Sequence, residues 1–204
     1  MKDLLILVAD LDTENVLLGF LPRLERVCGT RPFTFDIQRH INRDPGCANE
    51  SADFLRSFSG QYRHAMVVFD QEGSGQERRS RTDLEAAVER SLEANGWAAG
   101  TVAVVAIDPE IENWMWVNSP HISAALKWKR PEGLYNWLAE NAWLKPEAAK
   151  PERPKEAMET VLRVSRTPRS SSIYREIADR VSFGGCIDPA FVKMLATLER
   201  WFKQ

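Results

Sequence analysis

Three short, wholly apolar runs, each ending on carboxylates, constrain this chain more than any other feature. They are 4–9 (LLILVA) followed by Asp10, 65–69 (AMVVF) followed by Asp70 and Glu72, and 102–107 (VAVVAI) followed by Glu110 and Glu112. Runs this short, rich in β-branched residues and without polar alternation, read as strands buried on both faces, the pattern of a parallel sheet covered by helices. Residues just past the carboxyl ends of parallel strands converge on one crevice, where ligands bind. Carboxylates gathered there repel one another unless a cation sits among them. Hard oxygen donors suit Mg²⁺ or Mn²⁺.

The segments between the strands fit that architecture. After the first strand, Val16, Leu17, Phe20, Leu21, Leu24 and Val27 recur at helical spacing, with Thr13 and Glu14 at the start and Pro22 as a kink or stop. Residues 32–37 alternate as a strand, 42–49 are rich in turn formers and read as a loop, and 50–58 read as a helix. The polar, glycine-bearing stretch 71–81 is a loop before a helix at 82–95, closed by Gly96. Further helices are predicted at 120–126, 131–139, 155–164, 171–181 and 188–202, with a proline- and charge-rich linker or exposed loop at 145–154. The fold class is therefore α/β: a mainly parallel sheet of about four strands flanked by helices, with a helical C-terminal extension. Residues 1–118 form the α/β domain and 119–204 a helical region packed on or linked to it.

Composition removes several classes of function. The 204 residues carry a net charge of −2, so contact with DNA or RNA has to be local. Cys28, Cys47 and Cys186 are odd in number and widely spaced, which argues against a disulfide framework or structural zinc and for a reducing, cytoplasmic setting. His40, His64 and His121 lack zinc-ligand spacing and read as structural or exposed. No run approaches the ~20 apolar residues that span a bilayer, and the first apolar run is a core strand rather than a signal peptide. No Walker-type glycine loop is present, so ATP hydrolysis would belong to a partner.

The motifs resemble the Toprim fold of topoisomerases, primases and the overcoming-lysogenization-defect nucleases. The closer likeness is to a Toprim-like bacterial family of unassigned function associated with phage-defence ATPases. That family opens with strand–Glu–Gly–x–Thr–Glu, matched here by Asp10-Leu11-Asp12-Thr13-Glu14 after Ala9; its Asp-x-Asp is matched by Asp70-Gln71-Glu72. Its Pro-Glu-hydrophobic-Glu-x-Trp element is matched by Pro109-Glu110-Ile111-Glu112-Asn113-Trp114, the one individually specific segment. The resemblance implies a Mg²⁺- or Mn²⁺-dependent nuclease of an antiphage system working with an ATPase, with Asp10 as proton carrier and Asp70, Glu72, Glu110 and Glu112 as metal ligands. Departures fall on the chemistry: Asp10 is one methylene shorter than the family's Glu, Leu11 replaces a glycine, and Glu72 replaces an aspartate. A catalytically degenerate module that binds nucleic acid or a partner protein is the alternative.

Individual residues carry competing roles. Asp10 is also a natural helix N-cap, and Asp12 and Glu14 suit the first turn of that helix. Glu110 and Glu112, two apart, cannot share a helix face, so one is expected at the site and the other at a cap or in solvent; the resemblance favours Glu112. Arg78, Arg79 and Arg81 read either as a solvated basic loop or as a clamp for a phosphate backbone, with Lys150, Arg153 and Lys155 as weaker candidates. Trp114 and Trp116 are expected in the core.

Overall fold

The computed structural model describes residues 1–183 and 186–203; the parts of the predicted helical region at 184–185 and 204 lie outside the described residues. Four strands, β1 (Lys2–Val8), β2 (Phe35–Arg39), β3 (Tyr62–Asp70) and β4 (Val102–Ile107), form one sheet in the order β2-β1-β3-β4. Every pairing is parallel, as expected of strands apolar on both faces. Successive side chains alternate between two covered faces. Leu4, Ile6, Val8, Met66, Val68, Val105 and Ile107 belong to the larger apolar cluster. Leu5, Leu7, Val67, Phe69, Val104 and Ala106 belong to the smaller one on the opposite face.

Helices α1 (Leu11–Phe20) and α2 (Leu24–Cys28) follow β1, separated by a single 3₁₀ turn, Leu21–Arg23, that contains Pro22. Val27, expected on the apolar face, is exposed instead: the 3₁₀ turn changes the helical phase between α1 and α2 and rotates Val27 outward. The second strand lies a few residues later than predicted, since 32–34 run into it without strand pairing.

The larger difference is at 42–49, read as a loop and found as helix α3 (Arg43–Asn49), followed by α4 (Ser51–Leu55). Pro45 sits in the first turn, where its missing N–H costs nothing. Gly46 is buried because the His40 ring lies against its backbone: a Cβ there would meet His40 Nδ1 at 1.9 Å. Glycine here serves a close approach rather than a turn. Gly46→Ala is accordingly expected to lower stability by about 1–3 kcal/mol, the usual cost of overpacking, measured as a lower melting temperature. Unchanged stability would show that the ring moves freely.

Helix α5 (Arg81–Ala94), capped by the Ser80 hydroxyl, packs beside β4. There Glu85 accepts from the Ala106 N–H at 3.0 Å and Glu89 from the Val104 N–H at 2.9 Å. Lys193 binds both glutamates, at 3.2 and 2.7 Å. The outer edge of the sheet is thereby closed by side chains rather than left open to another strand.

Beyond β4 come α6 (Glu112–Met115), α7 (Pro120–Ala125), α8 (Leu134–Glu140), α9 (Pro154–Val164), α10 (Ser171–Arg180) and α11 (Pro189–Trp201). Their apolar residues, including Ile122, Leu138, Val161, Ile177 and Phe191, join the same cluster as one face of the sheet. Trp114 and Trp116 are fully buried in it, as expected of core residues. The stretch 145–153 has no regular helix, yet Pro151 is buried and Lys150 donates to the Asn113 carbonyl at 2.7 Å. It is a largely exposed loop, as one of the two expectations had it, pinned to the core at Lys150 and Pro151.

Candidate metal centre

The register of the sheet brings the acids together. Val8 pairs with Val68 across β1 and β3, so Asp10 and Asp70, each two residues further on, leave neighbouring strands at the same level. Asp70 pairs with Ile107 of β4. Just past β3, the Gln71 N–H donates to the Ile107 carbonyl at 2.8 Å and the Glu72 N–H to the Pro109 carbonyl at 3.1 Å, tying the two strand ends together. The chain then delivers Glu110 and Glu112 beside Asp70. One carboxylate oxygen from each of Asp70, Glu110 and Glu112 lies within 4.8 Å of the others, and all three residues are buried.

Both glutamates therefore reach the centre, against the expectation that only one would. The helical-face rule does not apply, because Glu110 precedes the turn at Ile111 and Glu112 is the first residue of α6. A residue before the helix and one at its start can point the same way, which two residues within a helix cannot.

Burial works against the charged form of all three carboxylates, even with the Lys155 ammonium beside Glu110 and Arg169 near Glu112. Burial pushes the Asp70 carboxyl well above its ordinary value, reinforced by Asp44, Glu112, Asp10 and Glu110. Burial also raises Glu112, against the hydrogen bond from Tyr174, and raises Glu110, against the pull of Lys155. The Asp70 Oδ1 and Glu112 Oε2 atoms are buried with no hydrogen-bond partner among the described residues. Unpartnered buried acceptors are costly, and a divalent cation satisfies several at once. Hard oxygens at this spacing fit such an ion, so the triad can hold a divalent metal.

Neighbouring residues fix the glutamates. Tyr174 of α10 donates to Glu112 Oε1 at 2.6 Å. Arg169 binds Asp12 at 2.8 Å and approaches Glu112 at 3.9 Å. The Lys155 N–H donates to Glu110 Oε1 at 3.0 Å, and its ammonium lies 3.4 Å from Oε2. Burial acts to lower the Lys155 ammonium, but Glu110, Glu112 and Asp70 outweigh it and the net direction is upward. On the other flank, Asp44 of α3 accepts from the Asp70 N–H at 2.9 Å, and its own carboxyl is raised by burial and then by Asp10. Asp44, Arg169 and Tyr174 were not anticipated from the sequence. Asp44 lay in the stretch mistaken for a loop, and the other two arrive from the far C-terminal half.

The remaining predicted residues fall around the triad. Asp10 caps α1, its Oδ1 accepting from the Thr13 N–H at 2.8 Å, and it stands beside Asp70 and Asp44 without being one of the three converging acids. Asp10, rather than Thr13, starts the helix. Glu72 is exposed on the Gly73–Ser74–Gly75 turn, close enough to help raise Glu110. Arg78 and Arg79 are exposed and form no ion pair among the described residues, whereas Arg81 binds Glu85 at 2.6 Å. Arg153 pairs with Glu156.

The Pro-Glu-Ile-Glu-Asn-Trp segment is anchored from behind. Asp188, the N-cap of α11, accepts from Trp114 Nε1 at 2.9 Å and from Asn113 Nδ2 at 2.7 Å. What fold and site define together is an α/β protein with a buried acidic centre at the carboxyl ends of β3 and β4. Comparisons with protein-family models, curated proteins and solved structures give no match to this chain. No helix among the described residues is long and apolar enough to cross a membrane.

Proposed function

We propose that Asp70, Glu110 and Glu112 hold Mg²⁺ or Mn²⁺ and that the chain is a metal-dependent, Toprim-like phosphodiesterase acting on nucleic acid. The observation that carries this is the pair of buried, unpartnered oxygens, Asp70 Oδ1 and Glu112 Oε2, in a cluster with Glu110. A bound divalent ion would supply charge neutralisation at a phosphoryl oxygen and an acidified water. The chain's own part is positional. Tyr174 and Lys155 orient the two glutamates, and Asp44 holds the backbone of Asp70. Asp10 Oδ2, the oxygen not used in capping, is the atom to take the proton from attacking water. A role in antiphage defence beside an ATPase rests on the sequence resemblance alone.

A second reading, a binding module without catalysis, is favoured by the Lys155 ammonium beside Glu110, a cation that the chain itself supplies to the centre. Calorimetric titration with Mn²⁺, paired with cleavage assays on single- and double-stranded DNA and RNA, separates the two. The nuclease is expected to bind Mn²⁺ and cleave, with both properties lost in Asp70→Ala. Binding without cleavage would support the module, and no metal response would remove the triad as a metal site.

A further inference from the structure

On the C-terminal half of the molecule, away from the acids, lies an open cavity of about 240 Å³ whose walls include Lys127, Trp128, Lys129, Arg130, Arg166 and Thr167. Two helix ends build it. Helix α7 closes with the Lys127 N–H on the Ala124 carbonyl and the Trp128 N–H on the Ser123 carbonyl, at 3.0 and 2.8 Å. Helix α9 closes the same way, Arg166 on Arg163 at 3.2 Å and Thr167 on Leu162 at 2.9 Å. These are paired C-terminal hydrogen bonds of the Schellman type, whose left-handed residue is usually glycine. Here that residue is Lys127 at φ 51° and Arg166 at φ 55°. The Thr167 hydroxyl donates to the Leu126 carbonyl at 3.3 Å, locking the two turns together and setting both cations on one cavity.

Cations at helix C-termini also complement the helix dipole. That explanation does not use up the charge present. Two helix ends contribute about −1 in all, and Glu132, 3.8 Å from Arg130, contributes one more negative charge. Four cations line the cavity, so an excess of about two positive charges remains. The donors that the wall presents are the exposed side chains of Lys127, Lys129, Arg130 and Arg166. The Arg130 guanidinium lies over the rings of Trp128 and Trp137, at 5.6 and 5.9 Å from their centres.

We propose that this cavity binds the phosphate backbone of a nucleic-acid strand. The cavity deepens the phosphodiester reading of the acidic centre, because the two share a stretch of chain. Thr167 is in the cavity wall, and Arg169, two residues and about 7 Å of backbone further on, touches Asp12 and Glu112. Cations here would hold a strand that the acidic centre alone would repel. In a chain of net charge −2, local cations of this kind have to supply the attraction.

The test is fluorescence anisotropy of a labelled single-stranded oligonucleotide with the full chain in EDTA, across a salt series. The variant is Lys127→Gly with Arg166→Gly, which removes two cations while giving both left-handed positions the residue they favour. Its melting temperature should hold while affinity falls at least tenfold and the log–log salt slope flattens by about 1.4, or about 0.7 per lost contact. Arg78→Ala with Arg79→Ala should change binding less. Asp70→Ala should leave binding in place, so a failed metal site and a failed cavity are told apart. Unchanged binding in the glycine variant, absence of salt-dependent binding, or loss only with Arg78 and Arg79 would overturn the proposal. So would stabilisation by inorganic phosphate without oligonucleotide binding, which would make the cavity a site for a small anion.

Discussion

Replacing Asp70 with Asn is expected to raise the stability of the metal-free protein, by an amount that grows with pH. Burial, and then Asp44, Glu112, Asp10 and Glu110, hold the folded-state value of Asp70 well above the 3.8 of an ordinary aspartate. The native state therefore binds more protons than the unfolded chain above that value, and stability falls as pH rises from 3.8 through the folded-state value. Asparagine keeps the shape and removes the charge, so the gain should be small near pH ~4 and about 1–2 kcal/mol near pH ~8. At about 2–4 °C per kcal/mol for a chain of this size, melting curves in EDTA resolve it. Glu110, Glu112 and Asp44, also raised by burial, share this trend in the parent, so the quantity to read is the difference between Asp70→Asn and the parent at each pH. The Asp3 and Asp36 carboxyls are held low by their hydrogen bonds to Arg31 and Lys2, and their contributions are lost only as pH falls below the ordinary aspartate range. His64, lowered by burial, opposes the trend below 6.5 but is common to both proteins and cancels in their difference. A loss of stability at every pH would instead mean that the Asp70 carboxylate holds the fold together.

Asp188→Ala should be the most damaging single change outside the apolar core. Its carboxylate accepts from the Ala190 and Phe191 N–H groups at 3.0 and 3.1 Å as the cap of α11, and from the Trp114 indole and the Asn113 amide. Losing the cap costs about 1 kcal/mol. Trp114 is fully buried, and stranding its N–H adds about 1–3 kcal/mol. The total of about 2–4 kcal/mol lowers the melting temperature by roughly 4–16 °C. Because Asn113 and Trp114 directly follow Glu112, the Mn²⁺ response should weaken as well. Asp188→Asn keeps a side-chain acceptor and should cost much less. An alanine variant within about 1 kcal/mol of the parent would show that water replaces the carboxylate.

The sequence made the sheet legible because β1, β3 and β4 are apolar on both faces, a pattern few other arrangements can bury. Asp70 was legible for the same reason, as a charge ending such a run. Helix α3 was not, since Asn42, Asp44, Pro45 and Gly46 each favour turns locally and only the approach of His40 explains the glycine. Asp44 was lost with it. The joint use of Glu110 and Glu112 was hidden because it depends on where α6 begins, and boundaries are the weakest part of any periodicity argument. Arg169 and Tyr174 carry no local signal. Their places follow from the packing of α10 on α1 and α7, a long-range contact that no spacing encodes.

The hydrogen bonds on the two glutamates also bear on which ion the centre would choose. Glu112 has one oxygen engaged by Tyr174 and only Oε2 free, and Glu110 has Oε1 engaged by the Lys155 backbone. Each therefore has one oxygen already accepting a hydrogen bond, which favours single-oxygen over two-pronged coordination, and Glu110 Oε2 also lies 3.4 Å from the Lys155 ammonium. Calcium prefers six to eight oxygens and gains from two-pronged carboxylates, whereas magnesium and manganese accept octahedra completed by water or by a phosphate. A tyrosine hydroxyl and one backbone amide would thus favour an ion of lower coordination number, with the rest of its shell left for solvent or a substrate to fill.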